Sequence, residues 1–123
     1  MQKILINGGN PLQGSVPVSG SKNASLPIMA ASILTNENLE LENVPDLVDV
    51  NTMSAVLSSL GVNVTKKDAN TNRFTLRYSD SESTIAEYDL VRKMRASILV
   101  LGPLLARKRH ASVSLPGLSL IHI

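Results

Sequence analysis

Apolar residues recur at three- and four-residue steps through Leu47, Val50, Met53, Leu57 and Leu60, the spacing that lines one face of an α-helix. Gly61 follows as a stop, because glycine takes the left-handed backbone that ends a helix without a Cβ penalty. Val44-Pro45-Asp46 breaks the chain just before, and Asp46 is the expected cap. Residues 24 to 34 are rich in Ala, Leu, Ile and Met and predict a buried helix. Pro27 is expected in its first turn, where a missing N–H does least harm. A further helix is expected from Asp89 as cap, with Leu90, Val91, Met94, Ile98 and Leu101 on one side and a kink at Gly102-Pro103.

Strand signals fill the remainder. Residues 3 to 7 and 13 to 19 alternate or run apolar, with turn chemistry in Gly8-Gly9-Asn10-Pro11 between them. Residues 38 to 43 alternate through Leu39 and Leu41. Residues 62 to 65 and 73 to 78 read as two more strands joined by the polar stretch 66 to 72, and residues 111 to 115 as another. From residue 13 the order is strand, helix, strand, helix, strand, strand, then the start of a similar series. Such alternation predicts an α/β architecture.

Composition narrows the function classes. A chain of 123 residues with 43% hydrophobic and 18% charged residues can bury a core. Phe74, Tyr78 and Tyr88 are its only aromatics, so little surface is offered for stacking on bases. The net charge is only +2, and the one dense basic run, Arg107-Lys108-Arg109, reads as a solvated helix end near the negative pole of the dipole. No nucleic-acid partner is expected. With no Cys and only His110 and His122, neither a disulfide nor a metal site is expected, and no cofactor is called for. The longest apolar run, residues 98 to 106, falls short of the roughly 17 to 25 residues that cross a bilayer. The opening residues lack the extended apolar region of a secretory signal. These features predict a cytoplasmic location without a membrane partner.

Three residues have the chemistry of an anion site. Lys22 follows Ser19-Gly20-Ser21 and precedes a helix, so its ammonium and the free N–H groups of the helix start can face one phosphate or carboxylate. Gly20 lets the backbone approach closely there. Asn23 adds an amide that both donates and accepts, although Asn is also a good helix cap. Arg95 offers a guanidinium fork suited to phosphate, beside the small Ala96 and Ser97. Arg92, Lys93 and Arg95 are equally suited to solvent or to pairing with Glu87 and Asp89, and spacing does not separate these readings.

Leu12-Gln13-Gly14-Ser15-Val16-Pro17-Val18-Ser19-Gly20-Ser21-Lys22-Asn23-Ala24-Ser25-Leu26-Pro27 resembles the opening signature of the UDP-N-acetylglucosamine enolpyruvyl transferases. Asn43-Val44-Pro45-Asp46-Leu47 with Asp49-Val50, the segment 88 to 105, and Val113-Ser114-Leu115-Pro116-Gly117 match that family in the expected order. The resemblance implies a fold of two similar domains, each of three βαβαββ units arranged as an inside-out α/β barrel around buried helices, with the active site between them. Residues 1–19 would then be strands that join the second domain, residues 20–117 a partial first domain, and residues 118–123 a non-native tail. The implied reaction moves enolpyruvyl from phosphoenolpyruvate to the 3-hydroxyl of UDP-N-acetylglucosamine, the first committed step of peptidoglycan synthesis. By resemblance Lys22 and Asn23 contact phosphoenolpyruvate, Asn23 also lies near the amino sugar, and Arg95 serves the UDP-sugar side.

The match stops at Gly117. The family continues with Gly and then Cys or Asp as the general acid, followed by an Arg-Pro pair, whereas this chain has Leu118 and Ser119 and no Arg-Pro. A serine hydroxyl is too weak an acid for that role. A truncated fold without its acid loop, inactive by itself, is therefore expected. The shikimate-pathway enolpyruvyl transferase is the alternative within enzymes, though its Asp-Lys-Ser type run fits Lys22-Asn23-Ala24 poorly. A non-catalytic α/β ligand-binding module is the alternative outside them.

Overall fold

Regular structure begins at Ser21 in the computed structural model, which describes residues 3–68, 71–79, 85, 86, 88–91 and 94–113. Ser21 has extended backbone and its hydroxyl accepts the N–H of Ala24 at 3.4 Å, so it caps helix α1 (Lys22–Ala31). A 3₁₀ turn, Ser32–Leu34, prolongs the helix. Leu26, Met29, Ala30 and Ile33 are buried along it. Pro27 is the sixth helical residue, not a first-turn one, so the helix forgoes the bond its N–H would make. Packing of the buried face outweighs that loss.

Strand β1 (Leu39–Leu41) leads to helix α2 (Val48–Ser59). Val50, Met53, Val56, Leu57 and Leu60 are all buried, and Gly61 ends the helix at φ +89°. Two details depart from expectation. Leu47, not Asp46, is the N-cap residue, and it makes no side-chain capping bond; Asp46 instead lies 3.7 Å from the Lys66 ammonium. Leu47 has extended backbone and is 42% exposed, so the buried face starts only at Val50.

Strands β2 (Val62–Asp68) and β3 (Thr71–Tyr78) run longer than the pattern implied, because their antiparallel pairing absorbs a register shift between Lys66 and Asp68. The sheet order is β1-β3-β2, with β3 antiparallel to both neighbours. β1 and β2 are therefore parallel, joined across β3 by α2. Leu39 opposes Leu76, Leu41 opposes Phe74 and Val64 opposes Leu76, which gives one apolar face toward the helices. The other face is polar. There Lys67 sits 2.7 Å from Glu40 and holds its carboxyl below the usual range by a hydrogen bond and by charge.

The helix expected from Asp89 is three pieces: α3 (Tyr88–Val91), a 3₁₀ helix (Arg95–Val100) and α4 (Leu101–Lys108). Met94 is extended between the first two. Pro103 explains the second break, since its ring clashes with the carbonyl four residues earlier in a continuous α-helix. It stands instead in the first turn of α4, where its missing N–H has no helical partner to lose. Val91, Met94, Val100 and Leu104 are buried, while Ile98 and Leu99 are more than a third exposed. Arg109 ends α4 in the left-handed region at φ 60°. The basic run is not simply solvated: Arg107 stacks 4.5 Å from the Tyr78 ring centre and donates to Asn36.

Strand β5 (Ser112–Val113) pairs in parallel with β4 (Ile85–Ala86), so the second series does open as strand, helices, strand. The chain is α/β, as the alternation implied. Residues 3–20 correct the reading: they form neither helix nor strand, and Ile4, Leu5, Ile6, Leu12, Val16 and Val18 are between 82% and 95% exposed. A strand needs a partner for its backbone groups, and no described strand pairs with this segment. The expected tail at 118–123, the strand end at 114 and 115, and Glu87, Arg92 and Lys93 lie outside the described residues.

Candidate anion site at two helix starts

The segment entering α1 is gripped by the end of β1. Asn43 adopts left-handed backbone at φ 57°, and its side-chain amide donates to the Val18 carbonyl at 3.4 Å. A Cβ on Gly20 would lie 1.9 Å from the Asn43 carbonyl oxygen, so only glycine fits this crossing. Ser25 then donates to the Ser21 carbonyl at 2.8 Å, which ties the cap to the second turn.

This anchoring puts Lys22 at the first helical position of α1 and Asn23 at the second. Because Ser21 is the cap, Asn23 is not, and it stays exposed. α2 packs against α1, and its first two residues, Val48 and Asp49, come beside Lys22. The Lys22 ammonium is 2.8 Å from Asp49 Oδ2. A shallow cavity of about 390 Å³ is lined by Lys22, Leu47, Val48 and Asp49. Two helix starts therefore flank one cavity, each contributing unpaired N–H groups and the positive end of a dipole. They suit an anionic group, although the Asp49 carboxylate on the same wall partly offsets the Lys22 ammonium.

Arg95 opens the 3₁₀ helix that packs on α1 and is exposed. Fold packing thus brings it to the helix that carries Lys22 and Asn23, but no ion pair or hydrogen bond joins it to either among the described residues. Asn43 and Asp49 entered the sequence reading only within the family-like blocks, with no role given to either. Apart from that block, Asp49 is an acid early in a helix, where the dipole alone explains it. Among the described residues no three His, Cys, Asp or Glu side chains converge as metal ligands, and no described helix is long and apolar enough to cross a membrane.

The Gly20 crossing yields a direct prediction. Gly20→Ala should push the residue 18–21 segment off Asn43, at a cost of about 1 to 3 kcal/mol in stability. Amide chemical-shift changes should concentrate at residues 18 to 25 and 43 to 45, and an unchanged spectrum would show that the crossing is loose.

Residues 6–122 match the family described as EPSP synthase (3-phosphoshikimate 1-carboxyvinyltransferase). A UDP-N-acetylglucosamine 1-carboxyvinyltransferase from Dinoroseobacter shibae is 52% identical over 118 residues, 95% of this chain and 28% of that protein. The enzymes of that name from Zymomonas mobilis and Anaeromyxobacter sp. are 52% and 50% identical, again over 95% of this chain and 28% of theirs. The chain thus spans somewhat over a quarter of the length of these relatives. Among solved structures, the enolpyruvyl transferase NikO from Streptomyces tendae superposes with a TM-score of 0.68 at 28% identity, over 81% of this chain and 23% of that one. A sequence match across nearly the whole chain and a shared α/β fold lead to one conclusion: the chain belongs to the enolpyruvyl (carboxyvinyl) transferase family.

Proposed function

We propose that this chain supplies the phosphoenolpyruvate-facing part of a cytoplasmic enzyme that transfers enolpyruvyl to the 3-hydroxyl of UDP-N-acetylglucosamine in peptidoglycan synthesis. The observation that carries this reading is Lys22, set between two helix starts beside an open cavity, in a chain about half identical to enzymes of that name. The sugar oxygen adds to C2 of phosphoenolpyruvate while C3 takes a proton; the adduct then loses phosphate and a C3 proton. Both substrates are highly anionic, so cations and N–H dipoles must converge on them. Lys22 and the helix starts bind the phosphoenolpyruvate side, Asn23 orients it against the amino sugar, and Arg95 binds the UDP-sugar. The proton donor has to come from residues this chain does not contain, since Ser119 is too weak an acid. In this reading residues 1–19 pair with a second domain, residues 20–117 are part of the first, and residues 118–123 are foreign to the fold.

The shikimate-type reading is disfavoured by the 50–52% identity to relatives named for the UDP-sugar reaction. A chimera decides the matter: residues 1–117 of this chain joined to the remaining sequence of the Dinoroseobacter shibae relative. It should release phosphate from phosphoenolpyruvate and UDP-N-acetylglucosamine but not with shikimate 3-phosphate as acceptor, and the 123-residue chain should stay at background. An inactive but folded chimera would favour the non-catalytic module, and turnover by the 123-residue chain would overturn the dependence on an absent acid.

A further inference from the structure

We propose that Asp49 is the positioning residue for Lys22: a carboxylate from α2 that fixes the direction of the ammonium on α1 and leaves its other N–H groups for an anionic substrate. The inference rests on the proposed function for the identity of that substrate and on the ion pair for everything else. Asp49 sits in the first turn of α2 and meets Lys22 at 2.8 Å across two separate helices. Its side chain is 35% exposed, while the acids of the other described ion pairs, Asp46, Glu40 and Glu42, are 61% to 67% exposed. Those three lie on or beside the sheet, and only the Asp49 pair borders the cavity flanked by helix starts.

Two effects of the carboxylate oppose each other. It competes with an incoming anion for the ammonium, which weakens binding, and it removes the rotamer freedom of a long flexible side chain, which strengthens binding. Both partners are more than a third exposed, so the competing charge is screened by solvent. The same screening weakens the pull that orders Lys22, yet the 2.8 Å contact still confines the ammonium to one side of its reach. An ammonium has three N–H donors and meets Asp49 on one side only, which leaves its other side for substrate oxygens. Aim therefore outweighs competition, and loss of Asp49 should weaken rather than strengthen the site.

The first test uses the 123-residue chain and ¹⁵N relaxation at lysine side chains, with Lys22→Arg to assign the signal. Lys22 should be more ordered than the exposed Lys3, and Asp49→Asn should bring it to the Lys3 level. If Lys22 is equally ordered with and without the carboxylate, the proposal fails. The second test uses the chimera: Asp49→Asn should raise KM for phosphoenolpyruvate about tenfold, the scale of one ordered long side chain. KM for UDP-N-acetylglucosamine should stay within about twofold, and Asp49→Glu should recover most of the loss. A unchanged or lowered KM for phosphoenolpyruvate, or an equal rise for both substrates, overturns it. If the unmutated chimera is inactive, the functional reading fails while the relaxation result still decides whether Asp49 aims Lys22.

Discussion

Leu57→Ala should destabilise the chain by about 2 to 5 kcal/mol, whereas Leu47→Ala should change it by no more than about 0.5 kcal/mol. The two leucines belong to one apolar series in the sequence and would be equivalent by periodicity alone. Leu57 is fully buried in α2, within the cluster that holds Met29, Ile33, Met53, Leu76 and Leu104, so truncation leaves a cavity that its neighbours cannot wholly fill. Leu47 is 42% exposed in extended backbone before the helix, so its truncation removes little packed surface. Urea unfolding measures both: at a slope of about 1 to 3 kcal/mol per molar, the Leu57 variant should lose about 1 M or more of midpoint at constant slope. Should it be unfolded already in buffer, the circular dichroism of that variant beside a native-like Leu47 variant gives the same ranking. Equal losses at both positions would mean that the burial of α2 is wrong.

Periodicity made α2 legible because its buried face repeats faithfully over three turns and Gly61 stops it. It failed where backbone chemistry overrides pattern. The apolar stripe from Leu90 to Leu101 reads as one helix with a kink only at Gly102-Pro103, yet the stretch is already broken at the extended Met94, and a 3₁₀ segment stands before the short α4. Residues 3–20 failed for a different reason. Alternation records that a segment suits a sheet, not that a partner strand is within reach, and here no described strand pairs with it. β2 and β3 were found but cut short, since the polar residues near the hairpin turn look like loop although they continue the pairing.

The candidate site divides in the same way. Lys22 and a close backbone approach at Gly20 were readable because a glycine, a turn and a cation adjoin in sequence. Asn43 and Asp49 were not, because they reach the site through space, from the end of β1 and the start of α2. Nothing local distinguishes Asp49 from Asp46, three residues earlier, which faces Lys66 instead. What separates them is the helix phase: α2 starts at Val48, so Asp49 is carried toward α1 and Asp46 is left in the connection.

Lys22→Ala, made in the active chimera, should lower kcat/KM by roughly two to three decades. In the proposed reading the cation meets developing and permanent charge on the phosphoenolpyruvate side, where a charge-assisted bond is worth about 2 to 4 kcal/mol, and each 1.4 kcal/mol is about tenfold in rate. Arg95→Ala should act differently. Arg95 opens the 3₁₀ helix packed on α1 rather than standing at the cavity beside Lys22, so its loss should raise KM for UDP-N-acetylglucosamine with a smaller effect on kcat. Arg92→Ala is the control for charge alone, since it removes a cation of the same kind from the same stretch of sequence. The assay is initial phosphate release with each substrate varied in turn at saturation of the other. If Arg92→Ala proves as damaging as Arg95→Ala while Lys22→Ala is silent, the net charge of the chain, not the placement of Lys22 between two helix starts, governs the reaction.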